Sequence, residues 1–166
     1  MYQLKVEKDI ILFVNLDVLD EIKRCVKKAY PNEACGLIFG TILEKKKLNS
    51  ENEYSYHYYG YKFECIESSR KSPVAFLMDD YNKLVEISSK YSNDYNYQLL
   101  SIVHSHPGSA YPSGIDIPYM KSYYKSGISK FKYLIWTIMD RNSEELNGFI
   151  YIFDELKQIS VKIRKF

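Results

Sequence analysis

The apolar residues of this chain change period several times, and each change marks an element. Ile10 to Val14 is an unbroken apolar run, the pattern of a buried strand, and Asn15 or Asp17 then offers a helix cap. From Asp17 to Tyr30 the residues Val18, Leu19, Ile22, Cys25, Val26 and Ala29 recur at intervals of three and four. They form one buried stripe, while Lys23, Arg24, Lys27 and Lys28 face water. Pro31 stops that helix. In Ala34 to Leu43 (ACGLIFGTIL), Gly36 and Gly40 interrupt helical continuity within a run rich in Leu, Ile and Phe, which predicts a strand. The polar run Glu44 to Glu53 reads as a turn, and Tyr54 to Tyr59 and Tyr61 to Ile66 alternate well enough to predict two further strands.

Pro73 and a short strand over Val74 to Leu77 lead to Asp79, a cap for a second helix. Its inner face uses Tyr81, Leu84, Val85 and Tyr91, and Asn93 to Asn96 closes it. Leu99 to Val103 is a buried strand that runs straight into His104-Ser105-His106-Pro107. After the loop Gly108 to Pro112, a third helix spans Ser113 to Tyr124, and strands follow at Tyr133 to Met139, Phe149 to Phe153 and Ile159 to Ile163. This is a mixed α/β chain, an α+β sheet with flanking helices. No repeat, low-complexity tract or Pro/Gly/Ser linker divides it, so one domain over residues 1–166 is expected.

Composition narrows the function classes. With 46% hydrophobic and 27% charged residues the chain is of the ordinary globular kind. Its 23 basic and 21 acidic residues leave a formal net charge of +2, too balanced for a nucleic-acid footprint, so no nucleic-acid partner is expected. No run approaches the ~20 apolar residues of a membrane span. The start MYQLKVEKDI lacks the cationic-then-apolar pattern of a secretory signal, so a cytoplasmic location without membrane contact is expected. Three widely spaced cysteines, Cys25, Cys35 and Cys65, offer neither a disulfide framework nor a CxxC knuckle, and buried reduced thiols are expected. The 17 tyrosines and His57 read as packing or surface residues. Oligomeric state is not set by any of these features.

Two of the three histidines are separated by one small residue at the end of a predicted strand. Residues two apart on a strand point to the same side, so the imidazoles of His104 and His106 converge. Two converging imidazoles suit zinc, whose catalytic sites take three protein ligands and leave a fourth position for water. Asp116 is the nearest candidate for the third, because the Pro-, Gly- and Ser-containing segment Pro107 to Ile115 can turn the chain back toward the histidines. Ser113 and Asp116 together are also close to a helix capping box, and Pro118 fits the first turn of that helix. A proton shuttle is still needed, and Glu33, just before a glycine-containing strand, can supply the carboxylate. Ser113 can hydrogen-bond a developing oxyanion. Cys35 has no free histidine base beside it and reads as core.

NEACGLIFG (Asn32 to Gly40) followed by HSHPGSAYPSGID (His104 to Asp116) resembles the JAMM motif of the MPN+ metalloproteases, and the likeness spans most of the chain. The resemblance implies the MPN fold, a three-layer, cytidine-deaminase-like architecture. It implies zinc, one per chain, bound by His104, His106 and Asp116, with Glu33 as general acid/base and Ser113 supporting the oxyanion. It further implies hydrolysis of a peptide or isopeptide bond at the C-terminus of a ubiquitin-like modifier or sulfur-carrier protein, as in the stand-alone prokaryotic members. One departure stands out: six residues separate His106 from Ser113 where the family has seven. Two other functions compete, a non-catalytic MPN scaffold that binds a partner and a RadC-like nucleic-acid-associated protein. A narrow cleft beside Gly36, Gly40 and the short loop is expected to favour a small, glycine-ended substrate tail.

Overall fold

The structure, a computed structural model, describes residues 4–48, 53–67 and 81–166. The expected strand at Val74 to Leu77, with Pro73 and the Asp79 cap, lies outside the described residues. Four helices are described, α1 (Val6–Asp9), α2 (Leu16–Ala29), α3 (Tyr81–Tyr95) and α4 (Asp116–Lys125). Seven strands accompany them: β1 (Ile10–Asn15), β2 (Cys35–Lys46), β3 (Tyr54–Ile66), β4 (Gln98–His106), β5 (Ile135–Asp140), β6 (Leu146–Ile152) and β7 (Glu155–Arg164). The sheet runs β1-β3-β2-β4-β5-β6-β7 and curls until β7 meets β1, with β1–β3, β1–β7 and β4–β5 parallel.

The predicted stripe of α2 is the one that packs: Val18, Ile22, Cys25 and Val26 are buried, and they meet Leu12, Val14, Ile38, Phe63, Val103 and Met139 on one sheet face. The other face carries Leu37, Phe39, Ile102, Trp136 and Ile138, covered by Leu84 and Tyr91 of α3 and Met120 and Tyr123 of α4. Helices on both sides of a sheet make the three layers. Part of the tyrosine excess is explained here, since Tyr61, Tyr97, Tyr95, Tyr91 and Phe39 stack in a row with centroids 4.1 to 5.9 Å apart. Such rows gain from offset stacking as well as from burial. Among the described residues no helix is long and apolar enough to cross a membrane.

Several expectations are corrected. The two strands predicted around Gly60 are one continuous β3, because the pairing with β2 slips by one residue between Phe39 and Gly40 and so absorbs Tyr61 in a bulge. Gly40 permits this: a Cβ there would sit 1.7 Å from the Tyr59 carbonyl oxygen. β2 extends to Lys46, which shortens the expected Glu44–Glu53 turn; residues 49–52 of that run lie outside the described ones. The third helix begins at Asp116 rather than Ser113. Helix α1 is too short to register as a periodicity.

The cysteine expectation fails at two of three positions. Cys25 and Cys65 form a disulfide, because packing α2 on β3 brings their Cα atoms to 5.8 Å, within the span of such a bond. A 40-residue separation hides this contact from a reading based on spacing. Cys35 is the buried free thiol that was expected, and burial pushes its pKa up to about 12. That excludes a ready thiolate nucleophile.

Candidate metal centre

Strand β4 delivers both histidines to the same place for the reason its alternation implies. His104 and His106 have ring centroids 4.8 Å apart and are both buried, while Ser105 between them points the other way. Ser105 is not idle there. Its hydroxyl accepts from the Ala34 amide at 2.8 Å and its own amide donates to the Ala34 carbonyl, which locks the start of β2, and hence Glu33, beside the end of β4.

The loop after His106 folds back within its six residues. Gly108 adopts φ +82°, a conformation that favours glycine, and its amide donates to Asp140 Oδ1 at 3.1 Å. The Tyr111 carbonyl lies 3.1 Å from His106 Nδ1, so with its proton on Nδ1 this imidazole donates outward and directs Nε2 inward. Asp116 then arrives at the first turn of α4. Its Oδ2 accepts from the Ser113 amide at 2.8 Å, and its amide donates to Ser113 Oγ at 3.2 Å, a reciprocal cap. The same Oδ2 lies 3.0 Å from His106 Nε2 and 3.2 Å from His104 Nε2. Capping and facing the histidines are therefore one arrangement.

The donor set fits a metal ion. One ligand atom from each of His104, His106 and Asp116 lies within 4.8 Å of the others, and the separations of 3.0 and 3.2 Å approach those of ligand atoms on a tetrahedral ion with bonds of ~2 Å. Neither ring nitrogen of His104 has a hydrogen-bond partner among the described residues despite burial, since the approach of Nε2 to Asp116 is not that of a hydrogen bond. A buried, orphaned nitrogen aimed at a carboxylate and a second imidazole is satisfied when a cation lies between them. Burial alone pushes the Asp116 carboxyl up, but the close imidazoles of His104 and His106 and the Ser113 amide more than offset it. Asp116 is held well below the usual carboxylate range. An anionic carboxylate is what a metal ligand must be.

Glu33 stands just before β2, half-buried, outside the ligand cluster but inside its field. Burial pushes its carboxyl up. His106 and His104 pull it down, Asp116 pushes it up and Arg141 pulls it down. A partly buried carboxylate with a raised pKa is suited to taking and returning a proton near neutral pH. Ser113 is partly exposed, and its hydroxyl accepts from Asp116 N, so its O–H proton is free to turn toward a bound group.

Sequence reasoning missed Ser105, Tyr111, Asp140 and Arg141. Ser105 had a signal, because strand alternation places it opposite the histidines. The other three have none: Tyr111 acts through its backbone carbonyl, and the side chains of Asp140 and Arg141 meet partners 32 and 110 residues away. The expected cleft beside Gly36 and Gly40 is corrected as well. A Cβ at Gly36 would meet Phe63 Cζ at 2.2 Å and one at Gly40 the Tyr59 carbonyl, so these buried glycines serve close strand packing.

A helix-flanked sheet with a His-His-Asp cluster at the end of β4 defines an α/β protein able to hold a metal ion. The family described as prokaryotic homologues of the JAB domain matches residues 15–149, and the chain belongs to that family. Among solved structures, it is similar to the solution structure of protein DSY2949 from Desulfitobacterium hafniense, with 19% identity, TM-score 0.63, and coverage of 93% of this chain and 94% of that one. A crystal structure of AF2198, a JAB1/MPN domain protein from Archaeoglobus fulgidus, also matches, at 15% identity and TM-score 0.46 over 92% of this chain and 97% of that one. The likeness to DSY2949 concerns the fold. No curated protein matches the chain.

Proposed function

We propose that this protein is a zinc-dependent metallopeptidase that hydrolyses a peptide or isopeptide bond, with His104, His106 and Asp116 holding the ion. The observation that carries this reading is the convergence of three donor atoms beside a carboxylate, Glu33, that lies within their field without joining them. A scaffold has no use for that division of labour.

A bound zinc ion would polarise the scissile carbonyl and bring the pKa of a water down to roughly 7. Everything else falls to the chain. Glu33 takes the water's proton and returns it to the leaving amine, a role its raised pKa favours. Ser113 turns its O–H toward the developing oxyanion while its Oγ keeps the Asp116 amide, so the cap also orients the donor. Tyr111 and Ser105 hold the imidazole of His106 and the start of β2 in register.

As substrate we propose the C-terminal tail of a ubiquitin-like or sulfur-carrier protein, consistent with membership of the prokaryotic JAB family. The test uses a ubiquitin-like domain whose C-terminal Gly-Gly is joined through an amide to aminomethylcoumarin. Zinc-loaded protein should release the fluorophore, and a chelator should stop it. Release that persists after complete removal of metal would refute the metallopeptidase reading.

The six-residue loop between His106 and Ser113 bears on the competing reading, a scaffold without catalysis. It leaves Asp116 Oδ2 3.2 and 3.0 Å from the Nε2 atoms of His104 and His106, which supports the metal-dependent reading.

A further inference from the structure

We propose that Arg141 is a positioning residue: it clamps the connector Tyr30 to Glu33 against the strand that bears the histidines, and so sets where Glu33 stands relative to the cluster. The inference rests on the metallopeptidase reading for its catalytic consequence, though not for the clamp itself.

Arg141 opens the turn between β5 and β6, directly after the Asp140 that pairs with His106. Its amide donates to the His106 carbonyl at 2.9 Å, which fixes its backbone to the metal-ligand strand. Its side chain reaches the other way. Nη1 donates to the Pro31 carbonyl at 3.2 Å, and the guanidinium lies 4.8 Å from the centroid of the Tyr30 ring. One residue thus touches both segments that build the site, through two contacts on a connector that ends at Glu33. Its charge also acts on the Glu33 carboxyl.

The turn is itself braced, so the clamp has a rigid base. Asp140 N donates to Glu145 O and Glu144 N to Asp140 O, and the Asp140 carboxylate holds the Gly108 and Asn142 amides and the Ser143 hydroxyl. Lys23 of α2 meets Glu144 at 3.1 Å, which ties the helix preceding the connector to the same turn. Core packing does not account for the contact with Tyr30, which remains 66% exposed. The planar guanidinium is matched to this task, because its rigid fork donates to a carbonyl in its plane while its face is open to a ring.

The test compares zinc-loaded wild type, Arg141→Ala and Arg141→Lys by zinc content, by hydrolysis of the aminomethylcoumarin probe and by amide NMR spectra. In Arg141→Ala the Glu33 and Ala34 amide signals should move while those of Asp116 and Met120 stay. Zinc should remain at the wild-type level. Turnover should drop roughly 10- to 100-fold in kcat with KM unchanged, the scale of a misplacement of about 1 Å. Millimolar guanidinium should restore part of that loss, and Arg141→Lys should fall between. Unmoved Glu33 and Ala34 signals, zinc lost with the side chain, or a defect confined to KM would each overturn the clamp. If wild type binds no zinc or leaves the probe intact, the metallopeptidase reading or its substrate fails, and the amide signals still decide the clamp.

Discussion

The two segments that meet at the site are built differently. The ligand segment, His104 to Asp116, is pinned at nearly every step: Nδ1 of His106 by the Tyr111 carbonyl, Gly108 by Asp140, and Asp116 by the reciprocal cap with Ser113. Its three donors are almost fully buried. The segment carrying Glu33 is held at its flanks, by Ser105 at Ala34 and by Arg141 at Pro31, and the Glu33 side chain is only half-buried. Ligands gain from a fixed geometry, whereas a shuttle must reach two places in one reaction. On the proposed function, the locked cluster suits metal binding and the flank-held carboxylate suits proton transfer.

That contrast is broken most completely at the ligands. His106→Ala, or His104→Ala, should leave the chain without bound metal and without activity, as read by elemental analysis and the fluorescent probe. Glu33→Gln should sharpen it: metal content stays, because Glu33 stands outside the three-donor cluster, and turnover falls by ~10²–10⁴, the usual worth of a positioned acid–base group. A glutamine variant that loses its metal would place Glu33 among the ligands.

Removing the metal from wild type should be felt in stability. With free zinc at about 1,000 times its Kd, the metal-loaded fold gains ~4 kcal/mol over the stripped one. A calorimetric Tm that is indifferent to chelator would argue against a metal held by the folded state. The smallest effect is expected at Ser113→Ala. Loss of the cap costs ~1 kcal/mol, which in a chain of this size is a fall of roughly 2–4 °C in Tm, and metal is retained. A decline in kcat beyond that small loss of stability marks the hydroxyl's part at the oxyanion.

Much of the fold and site is legible in the chain because the decisive signals are local. The α2 stripe and the buried β4 run are short-range periodicities, and strand alternation by itself puts both imidazoles on one side. The order of Glu33, His104, His106, Ser113 and Asp116 likewise lies in the sequence. What stays hidden is long-range. Parallel pairing of β1 with β7 closes the sheet across almost the whole chain. The Cys25–Cys65 bond depends on how α2 sits on β3. Gly36 and Gly40 look like openings for a substrate and are in fact points of contact between strands. Arg141 gives no signal at all, since its partners are a carbonyl and a ring 110 or more residues away.

The most direct test of the central claim is the metal content of the full chain purified without added metal, for wild type beside His106→Ala, followed by reconstitution with zinc. About one zinc per wild-type chain is expected, and none in the variant. Wild type that takes up no zinc after reconstitution, or a variant that holds it as well, would rule out a zinc centre built on His106.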